Sequence, residues 1–299
     1  MTTADVLAPV VPVDEEARAT PAWRTVLNTI EGRIGLAVGA LMLLLIAFGR
    51  FFAPYSPNEL GVGPRTQGPS AEHVFGTDSL GRDVLSRFLS GGDMILLVPL
   101  LSVVLAFLVG GGLGMFGGYR RGRADLVITR TFDLLLTLPP LLIVLVIIAG
   151  IGSSTAVLVV TAALVFVPRV GRLLRGATQA VVTNDYVAAA QARGERTAAI
   201  ILREVLPNIA ASAIAEFALR LTYAIIFVAT LNFLGLGAQP PNPNWGLMVA
   251  EGRTYIAISP WATLLPAAGI AALSIATNLI ADALTRHIAR DTARGTVTL

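Results

Sequence analysis

Cysteine and lysine are both absent from this 299-residue chain. Without cysteine there is no disulfide framework and no thiolate metal site. Without lysine there is no Gly-x-x-x-x-Gly-Lys-Ser/Thr loop, so the chain cannot hydrolyse a nucleoside triphosphate by that chemistry. No nucleophile–base pair stands out either, and no catalytic residue is assigned. Histidine is scarce. His73 and His287 lie far apart and fall on opposite sides of the topology argued below, which disfavours a metal site. Charge is scarce as well: 14% of residues are charged and 55% are hydrophobic, against about 25% charged in an ordinary globular chain. A soluble fold of this size could not cover its surface with so few. All 22 basic residues are arginine. They cluster in short loops beside apolar spans, where membrane orientation accounts for them. The high pI therefore does not call for a nucleic-acid partner.

Apolar runs of the roughly 20 residues needed to cross a bilayer recur along the chain. Six transmembrane helices are expected, over 34–53, 94–117, 126–150, 153–171, 211–236 and 261–284. Pro139-Pro140 should kink the third. The glycines from Gly110 to Gly118 should permit close helix contact or bending in the second. With the N-terminus inside, sixteen arginines fall on the inner side. Five (Arg50, Arg65, Arg82, Arg87 and Arg253) fall outside, and Arg220 lies within a span. The bias places both termini in the cytoplasm.

The first 33 residues do not read as a cleaved signal, because acidic residues precede the first apolar run and no cleavage site follows a short one. Residues 1–33 are read as a cytoplasmic segment. It includes an interfacial helix that starts at Thr20-Pro21 and is anchored by Trp23. Residues 34–93 hold the first span and an outer loop, and 94–299 a five-helix core with a cytoplasmic loop over 172–208. The first part of the outer loop, to Pro69, should lack regular structure. Its second part carries an apolar helical stripe, Leu80, Val84, Leu85, Phe88 and Leu89. Asp78, Arg82 and Asp83 should pair locally. Within the spans, Glu216 and Arg220 stand one turn apart. Asp133 stands one turn from Arg130, and Asn278 and Asp282 are placed for interhelical hydrogen bonds. Intramembrane charges are functional candidates, and a purely structural role stays open for each.

The segment from Asp185 to Asn208 is polar, yet it lies between two apolar spans. Tyr186 to Arg193 is helix-compatible, and Ala188, Ala189 and Ala190 remove bulk so that another surface can approach. Gly194 can turn the chain in a left-handed conformation. Ala198, Ile201, Leu202, Val205 and Leu206 then make an apolar stripe for packing on the membrane domain, and Pro207 should end that helix. Ala189, Ala190, Gly194, Leu206 and Pro207 fall on a spacing that resembles the coupling loop of ABC importer permeases. Ala188 replaces the Glu of that pattern and Glu204 its Ile, leaving Arg193 and Glu195 as candidates for the orienting charge. Phe75-Gly-Thr-Asp78 with Leu80-Gly-Arg-Asp83, and Leu234-Gly-Leu-Gly-Ala-Gln-Pro-Pro-Asn-Pro-Asn-Trp-Gly246, resemble signatures of the dipeptide/oligopeptide/nickel subfamily, C-type subunit.

The resemblance implies a type I ABC importer permease fold in the bacterial cell membrane. It also implies a second permease subunit, two ATP-binding subunits carrying ATP and Mg, and an extracytoplasmic binding protein. Di- or oligopeptides are the implied cargo, with nickel complexes or haem as the alternative. The outer motifs mark Asp78, Arg82, Asp83, Pro240, Pro241 and Trp245 as binding-protein contacts. The rival class is a self-contained secondary transporter, which the paucity of intramembrane charge disfavours.

Overall fold

The computed structural model describes residues 27, 29–237 and 239–295, with side chains to Arg286. Of the expected interfacial helix, residues 20–26 lie outside the described residues. The elements are helical throughout. α1 is Ile30–Phe48, continued by a 3₁₀ turn, and α2 is Val84–Ser90. α3 (Asp93–Ala106) and α4 (Gly112–Arg120) are joined by a π-helical turn. α5 is Gly122–Thr137, α6 Pro140–Ile151, α7 Thr155–Val181 and α8 Asp185–Ala192. α9 (Thr197–Ile200) and α10 (Leu206–Phe233) are joined by a second π turn. α11 is Trp245–Gly252 and α12 Trp261–Gly295. Five helical stretches are long and apolar enough to cross a membrane, and α5 with α6 makes a sixth, bent by 88°. Pro139 and Pro140 sit at that bend. Neither has an N–H to continue the helical ladder, and each fixes its own φ, so the expected kink is a sharp break.

α1 begins at Thr29, whose hydroxyl accepts the Gly32 N–H at 3.1 Å. Its small residues meet α12, and a Cβ on Gly35 would stand 2.9 Å from that of Leu279. The second span packs against α7 still more closely. A Cβ on Gly110 would lie 2.3 Å from the Val167 carbonyl, and one on Gly114 2.2 Å from the Gly171 carbonyl. The two glycines are one turn apart, so the backbones of the two helices touch along a line. Around this seam a core forms from Phe132, Phe166, Val170, Leu174 and Val205.

Two boundaries differ from expectation. α7 runs ten residues beyond the expected end at 171, to Val181. Arg172 and Arg175 read as the start of a loop, but they continue the helix because α5 supplies Asp133 and Asp125 as partners. The polar connection shrinks accordingly from 172–208 to residues 182–196. Pro207 does not end a helix either. Thr197 to Phe233 is one helical stretch. The π turn at Ile201–Val205 absorbs the proline, with Leu206 N–H reaching back to Ile201 O.

Candidate functional site

The turn between α7 and α10 is built around α8. Val187 and Ala190 are fully buried against Ile200, with Tyr119 and Val181 packed alongside. Tyr186, Ala188, Ala189, Ala192 and Arg193 are exposed. The alanines therefore divide: Ala188 and Ala189 form a flat outer face, whereas Ala190 packs inward and offers no contact surface. The Gln191 amide donates to the Tyr119 hydroxyl at 3.3 Å, holding α8 to the end of α4.

Gly194 takes φ +74°, and a Cβ there would meet nothing within 4 Å. The requirement for glycine is thus conformational rather than steric. Arg193 donates to Glu195 at 2.7 and 2.9 Å, and its guanidinium lies 3.9 Å from Glu204. One carboxylate precedes α9 and the other lies in the π turn after it, so Glu204 takes part in the turn. The stripe that follows is narrower than expected. Ile200, Ile201, Val205 and Ile209 are buried, Leu206 is half-buried, and Ala198, Leu202 and Pro207 are exposed. Its spacing of four from Ile201 to Ile209 reflects the wider turn of the π segment.

At the opposite end, the loop after α1 and helices α2 and α11 form a buried polar cluster. Asp78 accepts from Arg82 Nε at 2.6 Å and Arg87 Nη1 at 2.5 Å. It also accepts the backbone N–H groups of Leu80 and Arg82 at 2.8 and 3.0 Å. Both guanidinium groups also reach Glu251, at 3.0 and 2.9 Å. Burial pushes the Asp78 carboxyl up. The Arg82 N–H, the charges of Arg87 and Arg82 and the Leu80 N–H outweigh it, so the carboxyl is held below its usual range. Asp83 caps α2 through Ser86 and receives His73 Nδ1 at 2.9 Å. Trp245 stacks on Phe88 with centroids 4.9 Å apart and donates to the Phe88 carbonyl at 2.8 Å.

Asp78, Arg82, Asp83 and Trp245 are all buried, which corrects their expected role as contacts for a docking protein. Their charges and hydrogen bonds are spent among the loop, α2 and α11, and they shape the outer surface from beneath. Pro240 and Pro241 are exposed. Pro240 borders a cavity of about 720 Å³ whose lining includes Asp93, Ser154, Asn232 and Gln239. Arg87 and Glu251 were missed in the sequence. They stand 164 positions apart, and the only local signal was charge beside an apolar stripe. Leu80, expected in that stripe, precedes α2 and is exposed.

Within the spans, Glu216 pairs with Arg220 one turn away. Asp133 pairs with Arg172 of α7, and only distantly with Arg130, at 3.8 Å. Asp125 and Arg175 make a second α5–α7 pair, with Arg175 Nη2 at 2.6 Å. Asn278 donates to Asp282 at 3.3 Å along α12 itself. This corrects the expected interhelical bond: four residues of separation stack the two side chains on one helix face.

Residues 110–294 match the family described as binding-protein-dependent transport system inner membrane component. The chain is 35% identical over 279 residues to a glutathione transport system permease protein of Pectobacterium atrosepticum, covering 92% of this chain and 93% of that one. It is 34% identical to a dipeptide transport system permease protein of Alkalihalophilus pseudofirmus, over 91% of each chain. It is 38% identical over 260 residues to a di/tripeptide transport system permease protein of Pseudomonas aeruginosa, covering 84% and 86%. With its apolar helices, its bent third span and the elbow at Gly194, the chain belongs to the family of inner membrane components of binding-protein-dependent transport systems.

Proposed function

We propose that this chain is the membrane-spanning subunit of an ATP-driven importer of short peptides. The names of its relatives, for glutathione, dipeptides and di/tripeptides, support the cargo class. The observation that carries the mechanism is the α8 elbow. A helix with a flat, exposed face at Ala188 and Ala189 is fixed by its buried face to the continuous helix from Thr197 to Phe233. Those 37 residues span about 55 Å at 1.5 Å per residue. They run from the elbow to Asn232, in the wall of the outer cavity. A push on α8 thus reaches the far end as a rigid displacement.

In this reading ATP and Mg sit on two partner subunits, whose closure draws the elbows of this chain and of a second permease subunit together. The spans then open towards the face bearing Pro240 and Pro241, which receives the peptide from a binding protein. Hydrolysis resets them. The chain itself performs no chemistry on the nucleotide.

Replacing the exposed Ala189 by Glu puts a charged side chain where the partner must seat. ATP-dependent peptide uptake by the assembled transporter should fall at least tenfold, at unchanged membrane abundance of this chain. Undiminished uptake by A189E, or uptake by vesicles containing this chain alone, would falsify the reading.

A further inference from the structure

The extension of α7 to Val181 changes the position of Arg169. On the expected span it stood at the inner end. In the structure it is 14 residues from Thr155 and 12 from Val181, about 21 Å from one helix end and about 18 Å from the other. Arg169 thus stands near the middle of α7, within the apolar stretch long enough to cross a membrane, rather than at its end. An arginine within a span is costly to place. It is tolerated where it faces protein or water rather than lipid.

Its surroundings single it out. Arg172 and Arg175 are matched by Asp133 and Asp125 of α5. Arg169 donates one bond, from Nη1 to the Val165 carbonyl of its own helix at 3.2 Å. Among the described residues no carboxylate lies within ion-pair distance of it, and a guanidinium has five N–H donors. Arg169 is half-buried, and the helix face it shares with Arg172, Leu173 and Gly176 is exposed. Beside this face α5 and α7 enclose a groove of about 420 Å³ lined by Asp125, Thr129, Arg130, Asp133 and Arg175. The groove, Arg169 and Arg172 together hold four arginines against two aspartates. An arginine with no carboxylate partner, beside an exposed helix face and a polar groove, fits a wet pathway that admits anionic groups.

We infer that Arg169 is a specificity residue of the translocation pathway, binding a carboxylate of the passing peptide. The inference rests on the peptide reading above. The planar guanidinium suits a bidentate carboxylate, and the free α-carboxylate is the anionic group common to all peptides of this class. Arg172 is held by Asp133. Release follows because the site offers one cation and no enclosing pocket.

The test uses the complete transporter in proteoliposomes, supplied with saturating loaded binding protein so that its own preference drops out. Uptake of one peptide is compared with that of its C-terminal amide. Arg169→Gln should lower uptake of the free acid about tenfold or more and leave the amide within twofold of wild type. Arg169→Lys, which keeps the charge but loses the fork, should fall between. Co-purification of the partners checks assembly. Equal loss for both peptides would assign Arg169 to structure or to a carboxylate of the second permease subunit, and overturn the inference. So would no loss for either. Failure of the wild-type complex to import any peptide would overturn the peptide reading itself and take the inference with it.

Discussion

Asp78 shows how a single carboxylate organises the outer loop. It takes two buried guanidinium groups and two backbone N–H groups, and Glu251 completes the neutralisation. Removing one partner of a buried ion pair leaves charge uncompensated and costs about 3–5 kcal/mol. Asp78→Asn should therefore lower the melting temperature of the purified protein markedly, measured in detergent at neutral pH. The pH dependence follows in sign. The carboxyl is held below its usual value in the folded state, so its contribution is complete above about pH 4, the unfolded value. It is lost as pH falls through the lower, folded value. The wild-type protein should lose melting temperature below about pH 4, and D78N should lack that increment. Local pairing of Asp78 with Arg82 was legible, being one turn of chain. The partnership with Glu251 was not, because nothing local brings residues 169 positions apart together.

At the scale of elements, hydropathy is a local property, and the six apolar stretches were accordingly legible in the sequence. Helix ends were less so. They depend on partners: α7 continues through Arg172 and Arg175 because α5 lies opposite, and α10 continues through Pro207 because a π turn accommodates it. The elbow was legible as a whole, through the spacing of Gly194. The inward turn of Ala190 and the narrowed stripe at Ile201 were not, because both depend on how α8 packs on its neighbours. The contact between the second span and α7 was visible only as a run of glycines, and the structure gives it a requirement. A side chain on Gly114 meets a carbonyl at 2.2 Å, whereas one on Gly112 meets nothing within 4 Å. Gly114→Val should cost about 1–3 kcal/mol or more through overpacking, seen as reduced membrane abundance and a lower melting temperature. Gly112→Ala should be neutral or slightly stabilising. Equal behaviour of the two would show that the helices do not touch along this line.

For the whole molecule, the remaining question is which way it stands in the membrane. The arginine bias argues that the elbow at Gly194 is cytoplasmic and that Pro240 and Pro241 face outward. The helix connectivity agrees in placing them at opposite ends, since the continuous stretch from Thr197 to Phe233 lies between them. Connectivity alone would be satisfied by either direction. The absence of cysteine makes the test direct, because any introduced thiol is the sole one in the chain. Ala198 and Asn242 are both exposed, and neither belongs to the face at Ala188 and Ala189 that the partner would cover. In intact cells a membrane-impermeant thiol reagent should label Asn242→Cys and leave Ala198→Cys unlabelled until the cells are permeabilised. The reverse pattern would place the elbow outside, where no ATP-binding subunit could reach it. Labelling of both positions in intact cells would mean that one is carried across a bilayer-spanning gap too wide for a gated importer.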